Sequence, residues 1–354
     1  MKRIFFILVA TIPLALAACG MQIPSTFHST SLDNGNSTHR PSSTVPTIST
    51  SGLMNVPTTL PTAPAGTTVP TAPSGPEQNY TVVAYELQNQ NNGATYTGLP
   101  ALPATKYLLH DPMNMRQLST ERIDHAFGVA ANGKPHSITF ENQQRFDGWG
   151  TDALAWDNIT QEKVLYLTFD CGYEYGNVTT QILDVLKEKQ VKTTFFCTMT
   201  YLRTAPEVVA RMIKEGHNVG NHSLSHPANC AALTREEMVT EVLAVENYLR
   251  VNFGYSAKYF RFPSGTYSEN AIEALYSVGY RSVFWSIAYA DWDPDNQMEE
   301  ATAFELLTQR LHPGAVILLH TTSPVNAAIL ADFIDECLAQ GYRFCSLEDY
   351  PGWN

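Results

Sequence analysis

From Lys163 to the C-terminus, short and nearly unbroken apolar runs alternate with amphipathic stretches long enough to be helices. "VLYLTF", "VKTTFFC", "RSVFWSI" and "GAVILLH" are runs of this kind, and "VTTQILDVLKEK", "PEVVARMIKEG" and "TREEMVTEVLAVENYLRVNFG" stand among them as helical segments. A strand that is apolar at every position must be covered on both faces. Parallel strands joined by helical crossovers meet that demand, and hairpins do not. The helices carry their own punctuation, with Pro206 near a start and Gly216 and Gly254 at ends. "KYFRFP" reads as a further strand, "SENAIEALYSVGY", "TAFELLTQRL" and "NAAILADFIDECLAQGY" as further helices, and "RFCSL" as the last strand. Seven or so units predict a barrel-like α/β domain over residues 161–354. In barrels of this kind chemistry sits at the C-terminal ends of the strands. Asp170, His222, Arg261, Asp291 and His320 all fall at or just beyond such ends.

The first half of the chain reads differently. Met1-Lys2-Arg3 is followed by an apolar run from Ile4 to Ala18, too short for a permanent membrane span and ending in small residues. It closes on "LAAC", which predicts a signal peptide over residues 1–18 cut before a lipidated Cys19. The plainer alternative is an ordinary signal peptide with an incidental cysteine. Between Met21 and Pro76, 30 of 56 residues are Ser, Thr or Pro, and only Asp33 and Arg40 carry formal charge. A segment so poor in apolar surface does not offset its ordering entropy, so residues 19–78 are expected to be a disordered tether reaching roughly 40 Å. Residues 79–160 form a lead-in whose pieces "SITFENQQRF" and "DGWGTDALAWDN" are expected to pack on the domain. A net charge of −12 argues against nucleic acid as a partner. The expected place is the outer face of a membrane, held there by lipid.

"HSLSH" presents His222 and His226 four residues apart, so one helical turn would offer both imidazoles to a single ion. A zinc protease would carry a glutamate beside the first histidine, where this chain has Ser223. The base must come from elsewhere, and Asp170 is the candidate. "TFDCG", "HSLSH", "RFPSG", "ADW" and "ILLH" follow one another in an order and spacing that resemble the polysaccharide deacetylases, the NodB-homology carbohydrate esterases of family 4. "FDCGYEYG", "HNVGNHSLSHP" and "FWSIAYADWDPDNQ" look most like the subgroup acting on N-acetylmuramic acid in peptidoglycan.

The resemblance implies a distorted (β/α) barrel and a metal-dependent N-deacetylase of cell-wall glycan. It implies Asp170 as catalytic base, Arg261 as the base's partner, His320 as general acid and Asp291 as the group that tunes it. Trp292 matches the aromatic wall of the sugar groove, and the amide of Ser264 an oxyanion donor. His222 and His226 match metal ligands. Where the family has a second aspartate as ligand, this chain has Cys171. A thiolate is a competent zinc ligand, so a site of Cys171, His222 and His226 would favour zinc over magnesium or calcium. The rival is a disulfide from Cys171 to Cys197, and the ligand reading is preferred. Besides Cys19 there are five cysteines, an odd number; Cys337 and Cys345 are the pair best placed to join, and Cys230 is the fifth. Phe284, Trp285 and Tyr289 read as core or groove wall, and Ala288 stands where many relatives have a further aspartate. The expected partner is peptidoglycan and the expected state a monomer. A non-catalytic glycan-binding lipoprotein, or a deacetylase of chitin or xylan, are the alternatives.

Overall fold

The computed structural model describes residues 80–87, 93–126 and 128–353. The signal peptide, Cys19 and the whole of the tether over residues 19–78 lie outside the described residues. Strands β1 (Val82–Leu87) and β2 (Thr105–His110) form an antiparallel hairpin. There follow β3 (Ile123–Asp124), α1 (Ser137–Trp149) and β4 (Ala153–Leu154). The regular part then runs β5 (Val164–Cys171), α2 (Val178–Glu188), β6 (Thr194–Cys197), α3 (Met199–Thr204), α4 (Pro206–Lys214), β7 (Asn218–Asn221) and α5 (Arg235–Phe253). It continues through β8 (Tyr259–Phe260), β9 (Thr266–Tyr267), α6 (Glu269–Ser277) and β10 (Arg281–Val283). It ends with α7 (Glu300–Gln309), β11 (Ala315–His320), α8 (Pro324–Ala339) and β12 (Arg343–Phe344).

The main sheet has the order β11-β5-β6-β7-β8-β10-β4, with β12 also paired to β5, and every pair is parallel. It is curled. Single bridges from Trp156 to Ala315 and from Ile287 to Ile317 bring the end of the sheet that holds β4 and β10 back to β11. The packing requires the same curl, because Leu154, Tyr166, Phe196, Tyr259, Val283 and Val316 come from six strands and form one buried cluster. Strands at opposite ends of a flat sheet could not touch. The second and larger apolar layer lies between the outer face of the sheet and the helices. The barrel expected from the alternating pattern is what the chain forms.

Local signals place the helices. At α5 the Thr234 hydroxyl accepts the Glu237 amide (3.2 Å) while the Glu237 carboxylate accepts the Thr234 amide (2.8 Å), closing a capping box. Such a cap contributes about 1 kcal/mol. Gly254 ends the helix in the left-handed conformation (φ 62°).

The lead-in is more than a layer against the barrel. Its β4 is the last strand of the main sheet, and β3 pairs with β9. Among the described residues no helix is long and apolar enough to cross a membrane.

Candidate active site

Side chains on β5 alternate, so Val164, Tyr166, Thr168 and Asp170 point one way and Leu165, Leu167, Phe169 and Cys171 the other. Val164 and Tyr166 belong to the interior cluster, while Leu165, Leu167, Phe169 and Cys171 belong to the outer layer under the helices. Asp170 therefore sits at the mouth of the barrel interior. Its neighbours in register are His320 on β11 and Phe196 on β6.

Arg261 follows β8 directly and is wholly buried. Its Nη1 donates to Asp170 Oδ1 (2.9 Å), Nη2 donates to Thr168 Oγ1 (2.9 Å) and the Phe284 carbonyl (3.0 Å), and Nε donates to the Val283 carbonyl (3.1 Å). The guanidinium also lies 4.2 Å above the Phe196 ring centroid. A buried cation with four named acceptors is held in one orientation, which fixes the carboxylate it meets. Burial works against charge on Asp170, but His222, Arg261 and His320 face it, and the net effect holds its carboxyl below the usual range. Arg261 is the permanent cation among them.

His222 follows β7. Its Nδ1 lies 2.9 Å from the Arg261 carbonyl, which can only accept, so Nδ1 carries the proton and Nε2 the lone pair. That Nε2 is 3.5 Å from Asp170 Oδ2. Burial pushes the His222 pKa down to about 4, against the pull of Asp170, and keeps the ring neutral. The ring of His226 is 5.0 Å from it, centroid to centroid.

The expected helical turn does not form here. Ser223 (φ 75°) and His226 (φ 53°) are both left-handed, and the segment is an irregular loop. Side-chain bonds replace the helical ones. Asn221 Oδ1 accepts the Ser223 amide (3.0 Å), Ser223 Oγ accepts the His226 amide (2.9 Å), and Glu241 of α5 accepts both the amide (2.8 Å) and hydroxyl (2.7 Å) of Ser225. The two rings still meet, by a different backbone route.

Across the mouth, His320 ends β11. Asp291 Oδ1 accepts from its Nδ1 (2.7 Å) and Oδ2 accepts its backbone amide (2.8 Å). Burial would lower the His320 pKa, but the ion pair and hydrogen bond with Asp291 outweigh it and the net direction is up. Trp292 is 51% exposed, and its ring stands 6.2 Å from that of His320, centroid to centroid. Ser264 is exposed and left-handed (φ 54°), an uncommon state for a residue with a side chain. The turn it forms is backed by the lead-in. The His125 amide donates to the Gly265 carbonyl (2.9 Å), and a Cβ at Gly265 (φ +66°) would come within 2.6 Å of the His125 carbonyl oxygen. Only glycine fits there.

Cys171 does not join this group. It is buried on the outer face of β5, in register with Cys197 on β6, whose Sγ donates to the Phe195 carbonyl (3.7 Å). Burial, with Cys197 alongside, pushes its pKa well up. No disulfide joins it to Cys197, for both cysteines are free. Cys337 and Cys345 are free as well, because Cys337 faces the outer layer and Cys345 the interior.

The family profile described as polysaccharide deacetylase matches residues 157–283. The peptidoglycan-N-acetylmuramic acid deacetylase PdaA of Bacillus subtilis is 40% identical over 191 residues, 54% of this chain and 72% of that one. The chain belongs to the polysaccharide deacetylase family. A peptidoglycan-N-acetylglucosamine deacetylase of Bacillus cereus is 33% identical over 55% of this chain and 70% of its own length. The solved structure of Bacillus subtilis PdaA, a family 4 carbohydrate esterase, superposes with a TM-score of 0.61 at 36% identity, covering 66% of this chain and 98% of that one. A family 4 carbohydrate esterase from Bacillus anthracis superposes with a TM-score of 0.52 at 35% identity, covering 66% and 97%.

Polysaccharide deacetylases of this family are metal-dependent hydrolases, and the donor set can be judged on its own chemistry. Among the described residues no group of three or more His, Cys, Asp or Glu is gathered as a metal site. His222 and His226 nevertheless suit one. The first is neutral, with Nδ1 tied to a carbonyl and Nε2 left for coordination, which is the usual outer support of a ligating histidine. With Cys171 on the other face, the protein offers two imidazoles.

Proposed function

We propose that the protein removes N-acetyl groups from amino sugars of peptidoglycan, N-acetylmuramic acid first among them. The observation that carries this reading is the register of Asp170 and His320 on adjacent strands. A carboxylate kept ionised by Arg261 stands beside an imidazole kept protonated by Asp291. A base and an acid with pKa values pushed apart are what amide hydrolysis needs.

In this reading Asp170 takes a proton from water as its oxygen bonds to the acetamide carbonyl carbon. The backbone amide of Ser264 donates to the oxygen on which negative charge collects. As the C–N bond breaks, His320 Nε2 gives its proton to the departing sugar nitrogen, leaving acetate and a free amine. Arg261 keeps Asp170 aimed and charged, and Trp292 offers a sugar ring an aromatic face. A divalent metal held by His222 and His226, zinc being the best match to imidazole donors, would polarise the carbonyl and the water.

The comparisons with PdaA and the N-acetylglucosamine deacetylase support peptidoglycan as the glycan class. The test is to incubate purified protein with peptidoglycan and with chitooligosaccharides, measuring acetate and product masses. Acetate from peptidoglycan, with a loss of 42 mass units (roughly one acetyl group) on muramic acid, supports the reading. Release only from chitooligosaccharides moves the substrate to chitin, and no release from any glycan leaves a binding protein. We further propose that Cys19 is lipidated and holds a monomer to the outer face of the membrane through residues 19–78. Cys19→Ala should then release the protein to the soluble fraction or leave the precursor uncut. Identical partitioning of wild type and variant would sink the anchor.

A further inference from the structure

Asp291 is itself held by a side chain that nothing in the motif pattern singles out. Asn326 lies in the first turn of α8 and is fully buried. Its Nδ2 donates to Asp291 Oδ2 (2.7 Å) and to the His320 carbonyl (3.1 Å), and its Oδ1 accepts from the Tyr289 hydroxyl (2.6 Å). The orientation of the amide follows from its partners. Turning it over would set its oxygen against a carboxylate and a carbonyl, and its NH₂ against a hydroxyl. Tyr289 is buried, and burial together with the nearby Asp291 charge pushes its pKa up, so its hydroxyl stays a donor.

The same corner is tied twice more. Thr322 Oγ1 donates to the Trp292 carbonyl (2.9 Å), and Ser323 Oγ donates to Gln297 Oε1. Gln297 in turn donates to the Asp291 carbonyl (3.0 Å). These bonds fix the backbone of the loop that carries Asp291. Among the described residues only Asn326 reaches its carboxylate from outside the ion pair, on the oxygen that also receives the His320 amide.

We propose that Asn326, locked by Tyr289, is a positioning residue for the acid half of the site: it holds the Asp291 carboxylate so that Oδ1 meets His320 Nδ1 and leaves Nε2 facing the substrate. The inference rests on the proposed deacetylation for its kinetic consequence but not for its structural one. The groups that face His320 are Asp291 from the loop after β10, Asp170 from β5 and Arg261 after β8. Asn326 touches the first alone.

Two variants and two readouts test it. Asn326→Leu removes the amide at similar volume, and Tyr289→Phe removes only the hydroxyl that orients it. In the protein as purified, the Nδ1 proton of His320 is followed by NMR, with no substrate present. Displacement or broadening of that signal in both variants is the expected result. An unchanged signal in both, in folded protein, overturns the proposal. With an N-acetylated glycan as substrate, kcat should fall about 10–100-fold for Asn326→Leu and a few-fold for Tyr289→Phe, with KM unchanged. The double variant should be no worse than Asn326→Leu, because Tyr289 acts through Asn326. Additive losses, or losses in KM alone, would mean that the pair supports only the fold. If wild type releases no acetate, the functional reading fails while the NMR arm still decides the clamp.

Discussion

The two faces of β5 share one backbone and carry different chemistry. On the interior face Thr168 and Asp170 meet Arg261, and polarity is tolerated because each group has partners. On the outer face Phe169 and Cys171 lie in the apolar layer beneath the helices. One step along the strand separates a carboxyl held ionised from a thiol held protonated. The lesson is that adjacency in sequence says little about shared function within a strand, where the period is two.

If the interior face alone carries chemistry, the largest effects belong there. Asp170→Asn keeps the shape and an acceptor for Arg261 but cannot take a proton, so acetate release should fall by about 10⁴-fold or to background. Circular dichroism and thermal unfolding should show the fold retained. His320→Ala should follow with a loss of roughly 10²–10⁴ in kcat. Full activity in either variant would remove that residue from the mechanism and with it the contrast between the faces.

A smaller effect, in pH rather than size, should come from Asp291→Asn. In the proposed mechanism the working form of His320 is the imidazolium, so activity should be present below its pKa and lost as pH rises through it. Asp291 raises that pKa against the opposing effect of burial. Without the carboxylate, burial dominates and the alkaline limb of the kcat profile should move to lower pH. The same sign governs stability, since a histidine raised in the folded state contributes most below its unfolded value of about 6.5 and loses that contribution as pH climbs past the folded one. An alkaline limb that stays put would assign it to another group.

Much of this was legible in the sequence, for reasons that can be named. The unbroken apolar strands required a sheet covered on both faces, and Asp170, His222, Arg261 and His320 fell at strand ends because the fold repeats strand, helix, strand, while Asp291 lies farther out, in the loop after β10. His222 and His226 were found, but their helical turn was not real. Asn221, Ser223 and Glu241 supply side-chain bonds that outcompete a helix, and no periodicity reports them. The parts of the lead-in that join the barrel were opaque because β3 and β4 are two residues each, too short to show a period. Asn326 was missed because a helix position conveys nothing about an amide aimed across a loop. Thr168 could have been found by counting back two from Asp170, and the same count places Cys171 on the other face.

That count yields the smallest and sharpest prediction. A thiolate ligand at Cys171 would make aspartate a fair substitute, since the carboxylate would take the same role. On the outer face the outcomes reverse. Cys171→Asp would put a carboxyl among Phe169, Cys197 and Tyr201 with no cation beside it, at a cost of roughly 3 kcal/mol or more. Cys171→Ala would remove only a sulfur from an apolar contact, about 1–2 kcal/mol and a few degrees in Tm. It should leave metal content and kcat at wild-type levels, and reductant should change neither protein, because the native thiols are not joined. Metal content by mass spectrometry, acetate release and Tm on the two variants decide the matter. Loss of metal in a stably folded Cys171→Ala would return the thiol to the metal and erase the division between the faces. Retained metal with a modest fall in Tm would leave Asp170 and its neighbours as the whole of the chemistry on this strand.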